Sequence, residues 1–284
     1  MEEFNGISIE SFRLLVQCEG TKRYRDLPWR NTRDPWLVLI SEVMLQQTQV
    51  KRVLEYWRRW AELFPTADAL ASASVADVLT AWQGLGYNRR ALALKRTAER
   101  IEHDYAGHLP RSYKELLTLS GIGPATAAGV CVFAYGQAQI YLETNVRAVF
   151  LHHFFVGKTH VADKELALLL KATCDNTDPR GWYYALLDYG NYLKATLPNP
   201  SRASRHHTLQ SRFEGSLRQK RSYLLRELLV LQQASTEELL ELLNTAERQA
   251  GRGEVSLEQL GDILKVLAAE GFITFAGDSW MIAS

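Results

Sequence analysis

The chain of 284 residues carries 33 Lys and Arg against 32 Asp and Glu, for a net charge of +1, with 46% hydrophobic and 10% aromatic residues. That size and core-forming content predict two or three domains, and the near-neutral total means that any nucleic-acid role must rest on local basic patches. The three cysteines, Cys18, Cys131 and Cys174, form no C-x-x-C pair, which excludes a disulfide framework and a four-cysteine metal or iron–sulfur site within the chain.

The start, MEEFNGISIESF, is acidic where a secretory signal is basic. No apolar run approaches the ~18 residues that a membrane span needs. The expectation is a soluble protein of the cytoplasm, nucleoid-associated if bacterial, with no membrane partner. Ile9–Glu19 then has helical spacing, and Thr32–Gln47 and Thr48–Phe64 read as two successive helices. Within the first of these, PWLVLISEVML (Pro35–Leu45) is apolar on nearly every face, the pattern of a buried segment. Ser41 and Glu42 are its only polar side chains. A carboxyl buried there must be paired or held protonated with a raised pKa, which is the standard material of a general acid. A Glu that snorkels out or pairs with an Arg is the plainer alternative.

Thr66–Ala73 and Val75–Gln83 predict short helices, Gly84-Leu85-Gly86 a break, and Asn88–Tyr105 a long helix. Ser112–Leu119 follows with Ser112 as N-cap. Pro124–Tyr135, Asn145–Phe155, Ala162–Cys174 and Pro179–Leu193 complete the set, with no strand pattern before about residue 195 and no internal repeat. Between two of these helices lies Leu119-Ser120-Gly121-Ile122-Gly123-Pro124-Ala125-Thr126-Ala127. Two glycines permit a tight turn, Pro124 suits the first helical position, and the amides at the helix start are a natural phosphate site. Such hairpins bind DNA backbone without reading sequence.

In Tyr141-Leu142-Glu143-Thr144-Asn145-Val146-Arg147 an apolar run ends and a helix opens. Thr144 or Asn145 is a good N-cap there, with Glu143 as a dipole partner. The helix start favours the ionised form of Glu143, which opposite a protonated Glu42 makes an acid–anion pair.

After Pro198-Asn199-Pro200-Ser201 the chain turns basic, with Arg202, Arg205, His206, His207, Arg212, Arg218, Lys220 and Arg221 against Glu214. This reads either as a solvated connector or, from its one-sided charge, as a phosphate-facing segment. Three helices follow, Lys220–Gln232, Thr236–Gln249 and Ser256–Glu270. Two short strands, Gly271–Phe275 and Trp280–Ile282, then flank Ala276-Gly277-Asp278. That order is a winged helix, a fold that binds either DNA or protein.

The motifs LPWR (Leu27–Arg30), SEVMLQQTQV (Ser41–Val50), GLGYNRRALAL (Gly84–Leu94), LSGIGPATA (Leu119–Ala127) and LETNVR (Leu142–Arg147) together resemble the helix-hairpin-helix (HhH-GPD) DNA glycosylase superfamily, most of all its A/G-specific adenine glycosylases. The resemblance implies an all-α, two-lobed helical HhH-GPD glycosylase fold with the winged-helix-like domain at its C-terminus. The expected organisation is a helical lobe of residues 1–22 with 143–197, a second lobe of 23–142 bearing the hairpin, a basic linker of 198–218 and a winged-helix-like domain of 219–284.

It further implies a monofunctional glycosylase of base excision repair, acting on double-stranded DNA with a damaged or mismatched base. Adenine in a mismatch leads; another base (uracil, mismatched thymine, an alkylated or deaminated purine) or a catalytically weak lesion-binding protein are the alternatives. Glu42 falls on the general acid, Glu143 on the family's catalytic aspartate, and Gln47 on the side chain that wedges into the base stack. Gly121, Ile122 and Gly123 fall on the phosphate-binding hairpin. Trp29, Arg30, Tyr87 and Asn145 fall near the base pocket or catalytic carboxylate, although core packing serves Trp29 and Tyr87 equally well. The basic linker, with Arg202 and Arg205, stands where relatives carry iron–sulfur cysteines and takes over DNA contacts. No cofactor is required; from the resemblance alone, the hairpin carbonyls are open to a monovalent cation. Ala125 occupies the position of the Schiff-base lysine of bifunctional relatives, which argues against lyase chemistry.

Overall fold

The structure is a computed structural model that describes residues 3–4, 6–207 and 211–284. Met1, Glu2 and Asn5 of the expected first lobe and Thr208–Gln210 of the expected linker lie outside the described residues. In chain order the elements are β1 (Glu3–Phe4), β2 (Ile7–Ser8), α1 (Ile9–Lys22), α2 (Pro35–Leu45), α3 (Val50–Leu63), α4 (Ala67–Ala71), α5 (Val75–Trp82), α6 (Arg89–Tyr105), α7 (Tyr113–Leu116) and α8 (Pro124–Phe133). They continue with α9 (Thr144–Phe154), α10 (Asp163–Thr173), α11 (Pro179–Thr196), α12 (Leu217–Leu231), β3 (Gln233–Ala234), α13 (Thr236–Gln249), α14 (Leu257–Ala269), β4 (Ile273–Ala276) and β5 (Ser279–Ile282). No helix among the described residues is long and apolar enough to cross a membrane.

The chain folds into two compact units, Met1–Val43 with Leu109–Leu209, and Met44–His108 with Gln210–Ser284. In the first unit, Phe12 of α1 packs edge-on to Phe150 and Phe154 of α9, with ring centroids 5.3 and 4.7 Å away, and to Trp182 of α11. The close approach of α9 and α11 depends on Gly190, where a Cβ would overlap the Asn145 carbonyl. Helix α8 is buried on all sides from Thr126 to Phe133, and α2 is buried from Val38 to Met44, as its all-round apolar sequence requires. A buried ion pair fixes the entry to α2: Arg30 Nη1 and Nη2 donate to the Asp188 carboxylate at 2.7 and 2.9 Å. Arg25 Nε adds a third bond to Asp188 at 2.5 Å.

In the second unit, Trp60 of α3 packs edge-on to Trp82 of α5 at 5.0 Å and donates its indole N–H to the Ala81 carbonyl at 3.0 Å. The C-terminal helices and sheet share buried contacts with α5 and α6. Val75, Leu79 and Leu92 of α5 and α6 share one core with Leu224, Leu228, Leu239, Leu264 and Phe272. Glu270, at the end of α14, ties the two segments further: it pairs with Arg89 and Arg221, and its carbonyl accepts from Arg96 at 2.5 Å.

These units group the chain differently from the lobes and separate tail expected from the sequence, because pairing among distant helices and not chain proximity defines each core. The expected 198–218 linker divides likewise. Pro200–Ala203 forms a 3-10 turn, Ser201 and Ser204 are buried, and Ser204 bridges Val161 in the first unit. The residues from Ser211 belong to the second unit, and α12 begins at Leu217. Two strand features lay below the sequence signal, the two-residue pairs of β1 with β2 and β3 at the edge of a β3-β5-β4 antiparallel sheet.

Candidate active site

Glu42 sits in the third turn of α2 with 9% of its surface exposed. Burial pushes its carboxyl up to about 8; the nearby Glu143 charge adds to the push and a hydrogen bond from the Tyr141 hydroxyl opposes it. The space for this carboxyl is made by Gly129 of α8, where a Cβ would overlap Glu42 Oε2 and stand 3.0 Å from Tyr141 Cε2. Tyr141 is buried, and its phenol lies well above its ordinary value, chiefly through burial and then through the negative charge of Glu42.

Glu143 is the N-cap of α9, a place that the sequence assigned to Thr144 or Asn145. Its Oε1 accepts from the amides of Asn145 at 2.6 Å and Val146 at 3.1 Å. The capping amides favour the ionised form as expected, yet burial outweighs them and the positive charges of Lys194 and Arg147, leaving the carboxyl above its ordinary value. By exposed surface Glu143 keeps more contact with solvent than Glu42. Asn145 serves this helix start twice, through its backbone amide to Glu143 and through its Oδ1, which accepts from Lys194 Nζ at 3.2 Å. One carboxyl held neutral near pH 7 beside another held by amides and cations can divide the work of acid and anion between them.

Aromatic rings wall this pair. Phe133 stacks on Tyr184 at 4.6 Å and meets Tyr141 edge-on at 5.1 Å. The phenol of Tyr184 is pushed up to about 12 by burial, with Glu42 contributing. Arg30 lies over the Tyr184 ring at 4.4 Å, but its guanidinium is buried against Asp188. Arg30 thus stands beside the aromatic wall with its guanidinium held by Asp188. Trp29 is likewise buried, at 5% exposure.

The hairpin lies in the same unit. Gly121 takes φ +71°, a left-handed turn that only glycine adopts freely. Ile122 is buried and its amide returns to the Leu119 carbonyl at 3.3 Å. Gly123 stands at the N-cap of α8 with no side chain capping the helix. A Cβ there would meet nothing within 4 Å, so the backbone is open to a close approach. Arg202 and Arg205 are exposed beside the 3-10 turn. No cysteine follows Cys174, α11 continues to Thr196, and the turn at Pro200–Ala203 closes the end of the unit. These residues do not fit an iron–sulfur cluster.

Gln47 and Tyr87 belong to the second unit. Both are non-glycine residues in the left-handed region, at φ +55° and +51°, a conformation that costs roughly 1–2 kcal/mol and needs support. Arg90 supplies it. Its Nη1 donates to the carbonyls of Met44 (2.9 Å) and Gln46 (2.6 Å). Its Nη2 donates to Thr48 Oγ1 (3.0 Å) and to the carbonyls of Leu85 (3.2 Å) and Gly86 (3.0 Å). One half-buried guanidinium thus pins the loops that carry Gln47 and Tyr87. Sequence reasoning missed Arg90, Tyr141, Tyr184 and Lys194 as members of these arrangements. Arg90 lies inside and Tyr141 beside the motifs that carried the resemblance, whereas Tyr184 and Lys194 lie outside them.

Residues 40–173 match the family described as HhH-GPD superfamily base excision DNA repair protein. An adenine DNA glycosylase of Mycobacterium tuberculosis (strain ATCC 25618 / H37Rv) is 47% identical over 129 residues, 45% of this chain and 42% of its own length. That of Mycolicibacterium smegmatis is 49% identical over 144 residues, 50% of this chain and 48% of its own. The Homo sapiens adenine DNA glycosylase is 34% identical over 206 residues, 68% of this chain and 37% of its own. The chain thus covers less than half the length of these curated relatives. Among solved structures, a thermostable thymine-DNA glycosylase aligns with a TM-score of 0.58 at 24% identity, over 64% of this chain and 85% of that one. Endonuclease III in a non-covalent DNA complex aligns with a TM-score of 0.57 at 18% identity, over 70% and 96%. The fold is therefore shared with DNA glycosylases, and residues 40–173 carry the match to the HhH-GPD superfamily of base excision DNA repair proteins.

Proposed function

We propose that the protein is a monofunctional DNA glycosylase that extrudes adenine from a mismatched duplex and hydrolyses its N-glycosidic bond. The observation that carries the reading is the pair of Glu42, neutral up to pH about 8, and Glu143 within its electrostatic reach. Adenine is a poor leaving group until protonated, and a neutral carboxylic acid in a dry pocket supplies that proton to a ring nitrogen as the bond to C1′ breaks. The sugar becomes cationic, and the Glu143 carboxylate stabilises it electrostatically. Water then adds to C1′, its proton leaves to a base, and an abasic site and free adenine result. Extrusion costs a few kcal/mol of stacking and pairing, and Gln47 refills the vacated place.

Relatives at 47% and 49% identity are adenine DNA glycosylases, which favours adenine over the other bases. The Gly121–Pro124 turn and the exposed Arg202 and Arg205 hold the phosphate backbone. Such an enzyme acts in the cytoplasm, on the nucleoid if the source is bacterial. The test is single-turnover base release from end-labelled duplexes carrying adenine opposite guanine or oxidised guanine, with uracil, thymine and alkylated-purine controls, each read with and without hot alkali. Strand breaks from adenine duplexes only after alkali are expected. Breaks without alkali would overturn the monofunctional reading, and release of another base in preference would overturn adenine.

A further inference from the structure

Lys194 lies in the last turn of α11, and the proposed reaction gives it no part. One turn earlier, at Gly190, α11 comes so close to α9 that a Cβ would overlap the Asn145 carbonyl. Residues four apart share a helix face, so Lys194 is carried to the start of α9, where its Nζ donates to Asn145 Oδ1 at 3.2 Å. A cation in the last turn of α11 is favoured by that helix's own dipole, and a side chain running out to solvent would satisfy this. Lys194 instead reaches the positive end of α9, where a cation is disfavoured unless a negative charge offsets it. The Glu143 carboxyl, which caps the same amides, is the group placed to do so.

Two properties follow from this contact. An ammonium only donates, so the oxygen of the Asn145 amide must face Lys194 and its NH2 group must turn away. An aliphatic residue at 194 would leave that choice open. The second property is charge. Around Glu143 stand Glu42 of α2, Tyr141 ahead of α9, Arg147 on α9 and Lys194 from α11. Arg147 is committed to Asp163 by two bonds of 3.1 and 2.7 Å, whereas Lys194 has no ion pair among the described residues. Taking the proposed glycosylase activity as its basis, we infer that Lys194 is a positioning residue for base release: it locks the Asn145 amide in one orientation and supplies the unshared positive charge that keeps Glu143 a carboxylate. Burial raises the Glu143 carboxyl; after the capping amides, Lys194 opposes that rise more strongly than Arg147 does.

The test reads Glu143 ionisation in the full chain, once through activity and once without it. Lys194→Met and Lys194→Gln remove the charge, whereas Lys194→Arg keeps both charge and donor; melting temperatures confirm that each is folded. Single-turnover release is followed across pH from a duplex with adenine opposite guanine. Both charge-free variants move the acidic limb up by about one pH unit, the scale of one lost neighbouring charge, and leave the alkaline limb in place. Lys194→Arg restores the wild-type profile. A lysine that served only the α11 dipole would alter release equally at every pH. An acidic limb unmoved in both charge-free variants therefore overturns the inference, as does an equal shift in Lys194→Arg. The carboxyl carbon NMR resonance of Glu143, assigned by its loss in Glu143→Gln, gives the midpoint without catalysis. A midpoint that rises in the charge-free variants while the wild type releases no base removes the proposed chemistry and leaves Lys194 in its role. Base release with an unmoved midpoint does the reverse.

Discussion

The hydroxyl of Tyr141 donates to the Glu42 carboxyl, a hydrogen bond that lowers the pKa of a group otherwise raised by burial. In the proposed chemistry the acid must be protonated and Glu143 ionised, so base release should follow a bell whose two limbs belong to the pair. The alkaline limb is expected near pH 8. The acidic limb lies above the ordinary range of a Glu, because burial raises Glu143 as well. Tyr141→Phe removes the bond that favours ionised Glu42 and should move the alkaline limb to higher pH while leaving the melting temperature near that of the wild type. Single-turnover rates across pH 5–10 in ~10 steps read this directly; an unmoved limb would show that Glu42 is not the group being titrated.

Gly129→Ala separates stability from activity. A Cβ there overlaps the end of the Glu42 side chain, which can swing aside, and needs the Tyr141 ring at 3.0 Å to give by only a few tenths of an ångström. An Ala in place of a helical Gly gains up to about 1 kcal/mol of helix propensity. The displaced carboxyl, however, no longer meets its substrate, and a misplacement of about 1 Å costs on the order of 100-fold in rate. A protein that melts no lower than wild type and releases base about 100-fold more slowly is expected. Full activity would show that the Gly129 notch does not position the acid.

Much of this was legible in the chain because helical periodicity and all-round apolarity are local signals. Pro35–Leu45 announced both a buried helix and its stranded carboxyl, and the breaks at Gly84–Gly86 and Gly121–Gly123 fell where the helices end. What escaped was set by partners far along the chain. Tyr141 read as one member of an apolar run, since its hydroxyl acquires meaning only opposite Glu42, about a hundred residues earlier. The partner of Arg30 was hidden in the same way, because Asp188 lies 158 residues later. Glu143 looked like a neighbour of the helix cap, and its identity as the cap depends on where α9 begins. Nothing in the sequence around Leu224 and Phe272 signalled that Val75 and Leu79 pack into the same cluster.

Glu42→Gln should stabilise the protein, and more so as the pH rises. The carboxyl has a folded value of about 8 against an ordinary 4.5. Below both values it is protonated folded and unfolded, and nothing is lost. Between them only the unfolded chain ionises, so stability drains with rising pH at up to roughly 1.4 kcal/mol per unit. Above the folded value the loss is complete and constant. A neutral amide has no such drain. The melting-temperature difference between variant and wild type should therefore grow from pH 5 to pH 8 and then level off, alongside a loss of base release of about 100- to 10,000-fold. A difference independent of pH would mean that Glu42 is ionised throughout.

The Arg30–Asp188 pair is a structural device, with side chains 1% and 0% exposed. Asp188→Ala strands the Arg30 charge in the interior and should lower stability by about 3–5 kcal/mol, read as a shifted urea midpoint. The double variant Arg30→Met with Asp188→Leu removes both charges and should recover most of that loss. If the double variant is no better than the single one, the pair has a role beyond mutual neutralisation, such as holding Tyr184 against Phe133.

Glu143 carries one methylene more than the aspartate of the family pattern, and its cap geometry sets what the shorter side chain would do. Oε1 alone takes both amide bonds, at 2.6 and 3.1 Å. Asp is at least as good an N-cap, so Glu143→Asp should keep α9 and its stability intact. It withdraws the carboxylate by about a bond length, a displacement large enough to change the rate by up to about 100-fold. If the family position is the productive one, base release holds or rises; if the wall of Phe133, Tyr141 and Tyr184 has been built around the longer side chain, release falls while the fold persists. Glu143→Ala removes cap and charge together, costing about 1 kcal/mol of stability and nearly all release. Single-turnover release by Glu143→Ala at the wild-type rate, with the melting temperature lowered as for a lost cap, would reduce Glu143 to a helix cap and leave Glu42 to act alone.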